Sequence, residues 1–303
     1  MKIHERVVIT GAEGLLGRYF TAHLLGHCSL TAHSHASLDI TDAKAVEAMC
    51  AGDRPDLIIN CAVVGVDASE RDPGRSHAVN VIGPRNLAVS AARTGADLVH
   101  FSSNYVFAGD RLDEKPYTIA DLPQPINQYG KSKLASENAV RDFCARSFII
   151  RSSWIFGQGK SGFVNETRRQ MLAGEPMEAV TSVRANATFA TDLVLRSLEV
   201  VRQGTYGTYH LVNAGVCSYY DIAIEIARLL RLSKAERERL VGGSHESVAS
   251  WLAPRPSYTP MRCITSEELG FAQMRHWTLA IAEYLHEGKQ SELNQKSSSL
   301  ENL

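Results

Sequence analysis

The stretch RVVITGAEGLLG, residues 6–17, constrains the fold more than any other part of the chain. A β-branched run meets Gly11, glycine returns at Gly14 and Gly17, and an amphipathic segment, LLGRYFTAHLL, follows at once. Glycine lets a backbone approach a diphosphate closely, and the N-terminus of a helix favours negative charge. A strand, a glycine turn and a helix in that order form the first half of a nucleotide-binding βαβ unit, which requires a parallel sheet. The chain goes on to supply the strands. LTAHS, DLIINCA, DLVHFSS and SFIIRSS are short apolar or β-branched runs, and DAKAVEAMCA, NVIGPRNLAVSAARTG and QYGKSKLASENAVRDFC between them carry helical patterns. The reading is α/β, a Rossmann-type doubly wound parallel sheet with a smaller C-terminal substrate-binding lobe.

The rhythm changes after Trp154. GQGKSGFVNETRRQMLAGEP reads as a loop and a helix, GTYHLVN as a strand returning to the sheet, and CSYYDIAIEIARLLRL as a helix capped by Ser218 and Asp221. APRPSYTP is a proline-punctuated loop. These features assign 1–157 and 186–214 to the dinucleotide-binding domain and 158–185 and 215–286 to the lobe. The polar, serine-rich tail 287–303 reads as disordered.

Charge narrows the partners. With 32 basic and 33 acidic residues the net charge is −1, so neither nucleic acid nor an anionic membrane is expected. No stretch approaches the roughly 18 apolar residues of a membrane span, and the first apolar run is too short for a signal peptide. The six cysteines form no CxxC and no zinc spacing, which reads as free thiols in a reducing cytoplasm with no metal site.

Chemistry concentrates at the carboxyl ends of the predicted strands. Ser102 and Ser103 close DLVHFSS, where ligands bind in such sheets. Tyr129 and Lys133, spaced i to i+4 at the mouth of a helix, share one helical face. A YxxxK pair alone is weak evidence, but with a strand-end serine it makes chemical sense. Ser103 can donate to a carbonyl oxygen and Tyr129 can protonate it. An ammonium at Lys133 would lower the tyrosine pKa from near ~10. The second strand ends in Thr31, Ala32, His33, Ser34 and His35, without the acid that would accept from an NAD ribose, and Arg18 directly follows Gly17. This favours NADPH, with NADH the second choice. Asp39, in LDITD, falls later and belongs beside the adenine.

Glycine turn, strand-end serine and YxxxK together resemble the extended short-chain dehydrogenase/reductase superfamily, and the finer match is to the dTDP-4-dehydrorhamnose reductase family. SSNYVFAGD resembles that family's STDYVFDG, and PQPINQYGKSKLASE its P-x-N-x-YG-x-SK-x-x-x-E. IIRSSWIFG resembles IRTSWVYG, and APRPSYTPM the RPxxS loop. The similarity runs from residue 6 to about Gly270. It implies NAD(P)H-dependent reduction of the C4 ketone of a nucleotide-activated 4-keto-6-deoxysugar, in deoxysugar biosynthesis. Catalytic roles fall to Ser103, Tyr129 and Lys133. Cofactor contacts fall to Gly11, Gly14, Leu15, Leu16, Gly17, Arg18, Ser34, Asp39, Ile40, Cys61, Ala62, Val63, Asn80 and Ser102, with Tyr129 and Lys133 again. Substrate contacts fall to Ser103, Asn104, Tyr105, Trp154 and Arg255. The implied partner is a nucleotide sugar, and a homodimer is the candidate assembly.

Three departures bear on the substrate. Asn104 stands where the family usually has Asp, Ile119 replaces the Glu of YxExD, and SVRANAT barely resembles DQxGxPT. A 4,6-dehydratase would want Asp-Glu after the serine, and Asn104-Tyr105 argues against it. A sugar-nucleotide epimerase, or an NADP-binding regulatory subunit resembling that of methionine adenosyltransferase, are the alternative readings.

Overall fold

The computed structural model describes residues 4–159, 162–244 and 251–287. Strands β1 (Arg6–Thr10), β2 (Ser29–His33), β3 (Leu57–Asn60), β4 (Asp97–Ser103) and β5 (Ser147–Ser152) join an edge strand, Gly207–His210, in one six-stranded sheet. Every neighbour in it is parallel, in the order β2-β1-β3-β4-β5-edge. The chain therefore turns outward in opposite directions on either side of the gap between β1 and β3, and the carboxyl ends of those two strands open a crevice.

Burial on both faces explains the unbroken apolar runs. Val7, Ile9, Ile59, Val99, Phe101 and Ile150 face one layer, with helix α1 (Leu15–Leu24) and the helix Ala190–Gln203 packed over them. Val8, Ile58, Leu98 and Ile149, the alternate residues, face the other. They meet Val46 of helix α2 (Ala43–Asp53), Leu87 and Ala91 of the helix Gly83–Thr94, and Val140 of the helix Gln128–Phe143. Fully burying an Ile or Leu is worth about 1.5–3 kcal/mol, so the two faces hold the crevice walls firmly.

A second apolar core lies beyond Trp154. Val164 and Met171 of the helix Phe163–Ala173 pack with Ile222 and Ile226 of the helix Tyr219–Leu229 and with Trp277, Ile281 and Tyr284 of the helix over 277–287. The capping box of Ser218 and Asp221 forms as the sequence predicts, with Ser218 Oγ accepting from Asp221 N at 3.0 Å. The tail expectation falls, from residue 288 on, outside the described residues. All six cysteines are free thiols. Among the described residues no helix is long and apolar enough to cross a membrane, and no group of His, Cys, Asp and Glu could hold a metal ion.

Candidate active site

A cleft of about 600 Å³ runs along the carboxyl ends of the strands, from Ser34 after β2, past the glycine turn after β1 and the wall after β3, to Ser102, Tyr129 and Lys133. Gly11 adopts φ +69°, and a Cβ there would sit 2.6 Å from the backbone N of Ala62. A Cβ on Gly17 would lie 2.2 Å from the Gly11 carbonyl oxygen. The turn is thus as tight as side-chain-free backbone allows. Gly14 caps α1 without any side-chain hydrogen bond, which leaves the first helical N–H groups turned to the cleft. These features fit a dinucleotide diphosphate. Gly11→Ala is expected to abolish detectable dinucleotide binding in calorimetry and to lower Tm, because strain and overlap fall on the same backbone.

Of the residues the sequence assigns to the cofactor, Gly11, Gly14, Leu15, Leu16, Ser34, Asp39, Ile40, Cys61, Ala62, Val63, Ser102, Tyr129 and Lys133 line this cleft. Three do not. Gly17 lies beneath the turn, packed on the Gly11 carbonyl. The Arg18 guanidinium donates to the carbonyl of Gly159. Asn80 is fully buried behind the wall, where its Oδ1 accepts from Val64 N at 2.8 Å. The cleft also includes Val64, Arg75 and Phe101, which the sequence did not single out, and His35, which it placed at the end of the second strand without a contact. His35 lies two residues past β2 and was legible by position; Arg75 carried no local signal. The Asp39 carboxylate accepts from the backbone N and hydroxyl of Thr41, at 2.9 and 2.8 Å, and those bonds hold its pKa low.

At the other end of the cleft the catalytic candidates meet. Asn127 caps the helix Gln128–Phe143, its Oδ1 accepting from Gly130 N at 2.7 Å, and the first helical turn then projects Tyr129 and Lys133. Tyr129 hydrogen-bonds Ser103 and stands edge-on to Tyr105, ring centroids 5.8 Å apart. Burial pushes the Tyr129 phenol up to about 12, against the opposing pull of the Ser103 bond. Burial also pushes Lys133 down to about 8, while Glu137 and Cys61 work to keep it charged. The expectation that Lys133 lowers the tyrosine pKa is therefore not met. Burial dominates the tyrosine, and the same burial disfavours the ammonium of Lys133. For ketone reduction the outcome suits the chemistry, since the donor must start protonated.

Asn104 is buried and bridges two elements. Ser103 Oγ donates to its Oδ1 at 3.1 Å, and its Nδ2 donates to Thr259 Oγ1 of the proline-rich loop at 2.7 Å. Ser102 Oγ donates to Glu137 at 2.5 Å, and Arg151 of β5 clamps the same carboxylate at 2.8 and 2.7 Å. Burial raises the Glu137 pKa, yet the Arg151 hydrogen bonds prevail and the group stays ionised.

Trp154 holds φ +37°, rare for a bulky residue, and stacks on Tyr219 at 4.1 Å. The two line a smaller cavity of about 220 Å³ that shares Leu15 and Ile155 with the cleft. Strain of this kind gathers at functional sites. Tyr105 is buried and its phenol is pushed up to about 12, burial being the largest cause. Arg255 pairs with Asp67 at 2.6 Å and lies over the ring of Trp251.

A doubly wound parallel sheet with a glycine turn at its crevice, and a serine, a tyrosine and a lysine gathered at the end of one cleft, define a short-chain dehydrogenase/reductase of the extended kind. The family model described as the RmlD substrate binding domain matches residues 5–290. The chain belongs to that family, the dTDP-4-dehydrorhamnose reductase family. It is 36% identical over 285 residues to a dTDP-4-dehydrorhamnose reductase of Mycolicibacterium smegmatis, covering 92% of this chain and 84% of that one. It is 33% identical to a dTDP-4-keto-6-deoxy-D-glucose reductase of Streptomyces niveus, covering 92% and 96%. Among solved structures, the dTDP-4-dehydrorhamnose reductase of Bacillus anthracis in complex with NADP superposes with a TM-score of 0.88 at 32% identity, covering 94% of this chain and all of that one.

Proposed function

We propose that this chain reduces the C4 ketone of a nucleotide-activated 4-keto-6-deoxysugar with NADPH, in cytoplasmic deoxysugar biosynthesis. The observation that carries the reading is that Tyr129 and Lys133 line the far end of the cleft that begins at the glycine turn, with Ser103 bonded to Tyr129 just behind that lining. When bound, the reduced nicotinamide supplies a hydride to C4. Tyr129 gives its phenolic proton to the ketone oxygen. Ser103 turns its hydroxyl from Asn104 to that oxygen and stabilises the developing charge. Lys133, as an ammonium, holds the nicotinamide ribose and steadies the phenolate left behind. Tyr105 and the stacked Trp154 and Tyr219 provide an apolar wall for the sugar nucleotide. Arg255, already paired with Asp67, meets a diphosphate only by sharing its charge. The names of the relatives favour this reading over the epimerase and regulatory-subunit alternatives.

NADPH is favoured because β2 ends without an acid, Ser34 and His35 stand on the cleft wall, and Asp39 is turned onto Thr41. Arg18, committed to Gly159, is not proposed to read the 2′-phosphate. A charged hydrogen bond to phosphate would be worth about 1.5–3 kcal/mol, roughly tenfold or more in affinity. Arg18→Ala is expected to change the NADPH-to-NADH affinity ratio less than about threefold, measured by fluorescence titration. A tenfold fall would return the phosphate to Arg18.

The proposed division places 1–157 and 186–214 with the cofactor and 158–185 and 215–286 with the sugar nucleotide; the separate core around Ile222 and Trp277 supports it. A homodimer is the proposed assembly, which light scattering tests. Asn104→Asp is expected to shift relative kcat/KM among 4-keto sugars while chemistry persists, because a charge would enter the bridge between Ser103 and Thr259. The reaction itself is tested by NADPH oxidation against dTDP-, GDP- and UDP-linked 4-keto-6-deoxysugars. Turnover of at least one supports the reading; none across the panel removes it.

A further inference from the structure

Two serines one turn apart in the catalytic helix, Ser132 and Ser136, carry no chemistry in the reaction above, yet both are buried and both are bonded twice. Ser132 Oγ donates to the backbone carbonyl of Tyr129 at 2.8 Å, and Ser136 Oγ donates to the backbone carbonyl of Lys133 at 2.7 Å. Each serine thus grips the residue three positions earlier, and those residues are the two catalytic candidates. Each also accepts a hydrogen bond from outside the helix. Asn80 Nδ2 reaches Ser132 Oγ at 3.0 Å, and His100 Nε2 reaches Ser136 Oγ at 2.9 Å.

The outside partners are themselves fixed to the cleft wall after β3. Asn80 sits in a widened turn, Ala78–Ile82, and reads both backbone atoms of Val64, accepting from its N at 2.8 Å and donating to its O at 3.1 Å. On the second route Asn60 Oδ1 accepts from Thr10 Oγ1 at 2.8 Å and from Ala62 N at 3.1 Å. Its Nδ2 must then donate to His100 Nδ1, 3.1 Å away, which leaves the His100 proton on Nε2, facing Ser136. The imidazole is neutral, since burial first and Lys133 second push its pKa well below the usual range. Both routes begin at residues lining the cleft and end on a carbonyl of a catalytic residue. Thr10, Asn60, Asn80, His100 and Ser136 are all at most 2% exposed, and their polar groups are satisfied.

We infer that Ser132 and Ser136, anchored by Asn80 and His100, form a double clasp that sets the depth of Tyr129 and Lys133 against the cofactor wall. They are positioning residues. The roles of Tyr129 and Lys133 in this inference rest on the function proposed above, but the clasp acts on the ligand-free protein and can be read there. The titratable groups facing Lys133 are Tyr129 and Glu137 on its own helix, Cys61 after β3 and His100 of β4. None is removed by changing the serines, and His100 stays neutral without its Ser136 partner, so a shift in Lys133 reports chiefly its depth.

The test is the double variant Ser132→Ala/Ser136→Ala, with lysine 13Cε-labelled and the Lys133 resonance assigned from its loss in Lys133→Met. The Lys133 midpoint, about 8 when held deep, is expected to rise by about one unit or more as the side chain gains solvent. Sugar reduction is expected to lose about tenfold in kcat, with the KM for NADPH changed much less, because a displaced tyrosine misses the transition state more than it loosens the dinucleotide. Ser132→Ala and Ser136→Ala singly read the same quantities should the double variant not fold. Ser197→Ala, which removes an equally buried helix hydroxyl bonded to Leu193, is the matched control and should move neither. An unmoved midpoint with wild-type kcat overturns the clasp while leaving the reductase reading intact. A moved midpoint in a protein that reduces no sugar overturns the reductase reading and leaves the clasp.

Discussion

Tyr129→Phe is expected to lower turnover about 10²–10⁴-fold, the range that general acid catalysis contributes, while Tm and NADPH affinity stay near wild type. The ring is held by Tyr105 at 5.8 Å and by the cap of its helix, none of which needs the hydroxyl. The substitution removes one oxygen and one proton donor. Ser103 keeps its bond to Asn104, so the neighbouring geometry persists. Because burial pushes the phenol up to about 12, the group is protonated throughout the neutral range. Wild-type kcat/KM should accordingly show no alkaline fall attributable to tyrosine ionisation below pH about 10. A loss smaller than tenfold in Tyr129→Phe would remove the tyrosine from the proton-transfer step.

Lys133→Met should weaken NADPH binding and turnover together, and should also make the protein more stable. In the folded chain Lys133 sits near 8, below its ordinary 10.5, with burial the largest cause. Below pH 8 the folded state holds a charged lysine out of water, so the residue costs stability there, up to about 3 kcal/mol for a shift of this size. Between 8 and 10.5 the unfolded chain binds the proton and the folded one does not, so wild-type stability rises with pH and the cost fades. The Met variant should therefore gain several degrees in Tm at pH 7 and lose that advantage toward pH 10.5, measured by calorimetry across the range. A Tm at pH 7 below that of wild type would mean that Glu137 and Cys61 repay the burial of the charge. A cofactor role adds a second limb: NADPH affinity should fall as pH rises through about 8, and the fall should vanish in Lys133→Met.

The elements that the sequence revealed best are those where one local rule suffices. β1 and β4 coincide with RVVIT and DLVHFSS, because unbroken apolar runs bounded by Gly11 and by Asn104 leave no other reading. The glycine turn, Ser103, Tyr129 and Lys133 were legible because their spacing is local or is repeated across a known family. What sequence could not show is what a side chain does when two choices lie within reach. Arg18 follows the turn and would suit a phosphate, but the loop at Gly157–Gly159 comes back from far along the chain and takes it. Asn80 matches a family position for cofactor contact, yet its amide is consumed by Val64 and Ser132, from segments 16 and 52 residues away. The Tyr129–Lys133 pairing was right in placement and wrong in electrostatics, because desolvation depends on how tightly the cleft closes over both groups.

The central claim is that hydride arrives at the sugar C4 while Tyr129 delivers the proton. NADPH deuterated at nicotinamide C4 on the transferred face, supplied with a turned-over 4-keto-6-deoxysugar, tests it most directly by NMR of the product. Deuterium bound to carbon 4 of the sugar, formed at a rate that collapses in Tyr129→Phe, is the result this account predicts. A product carrying deuterium at another carbon, or none, would contradict it.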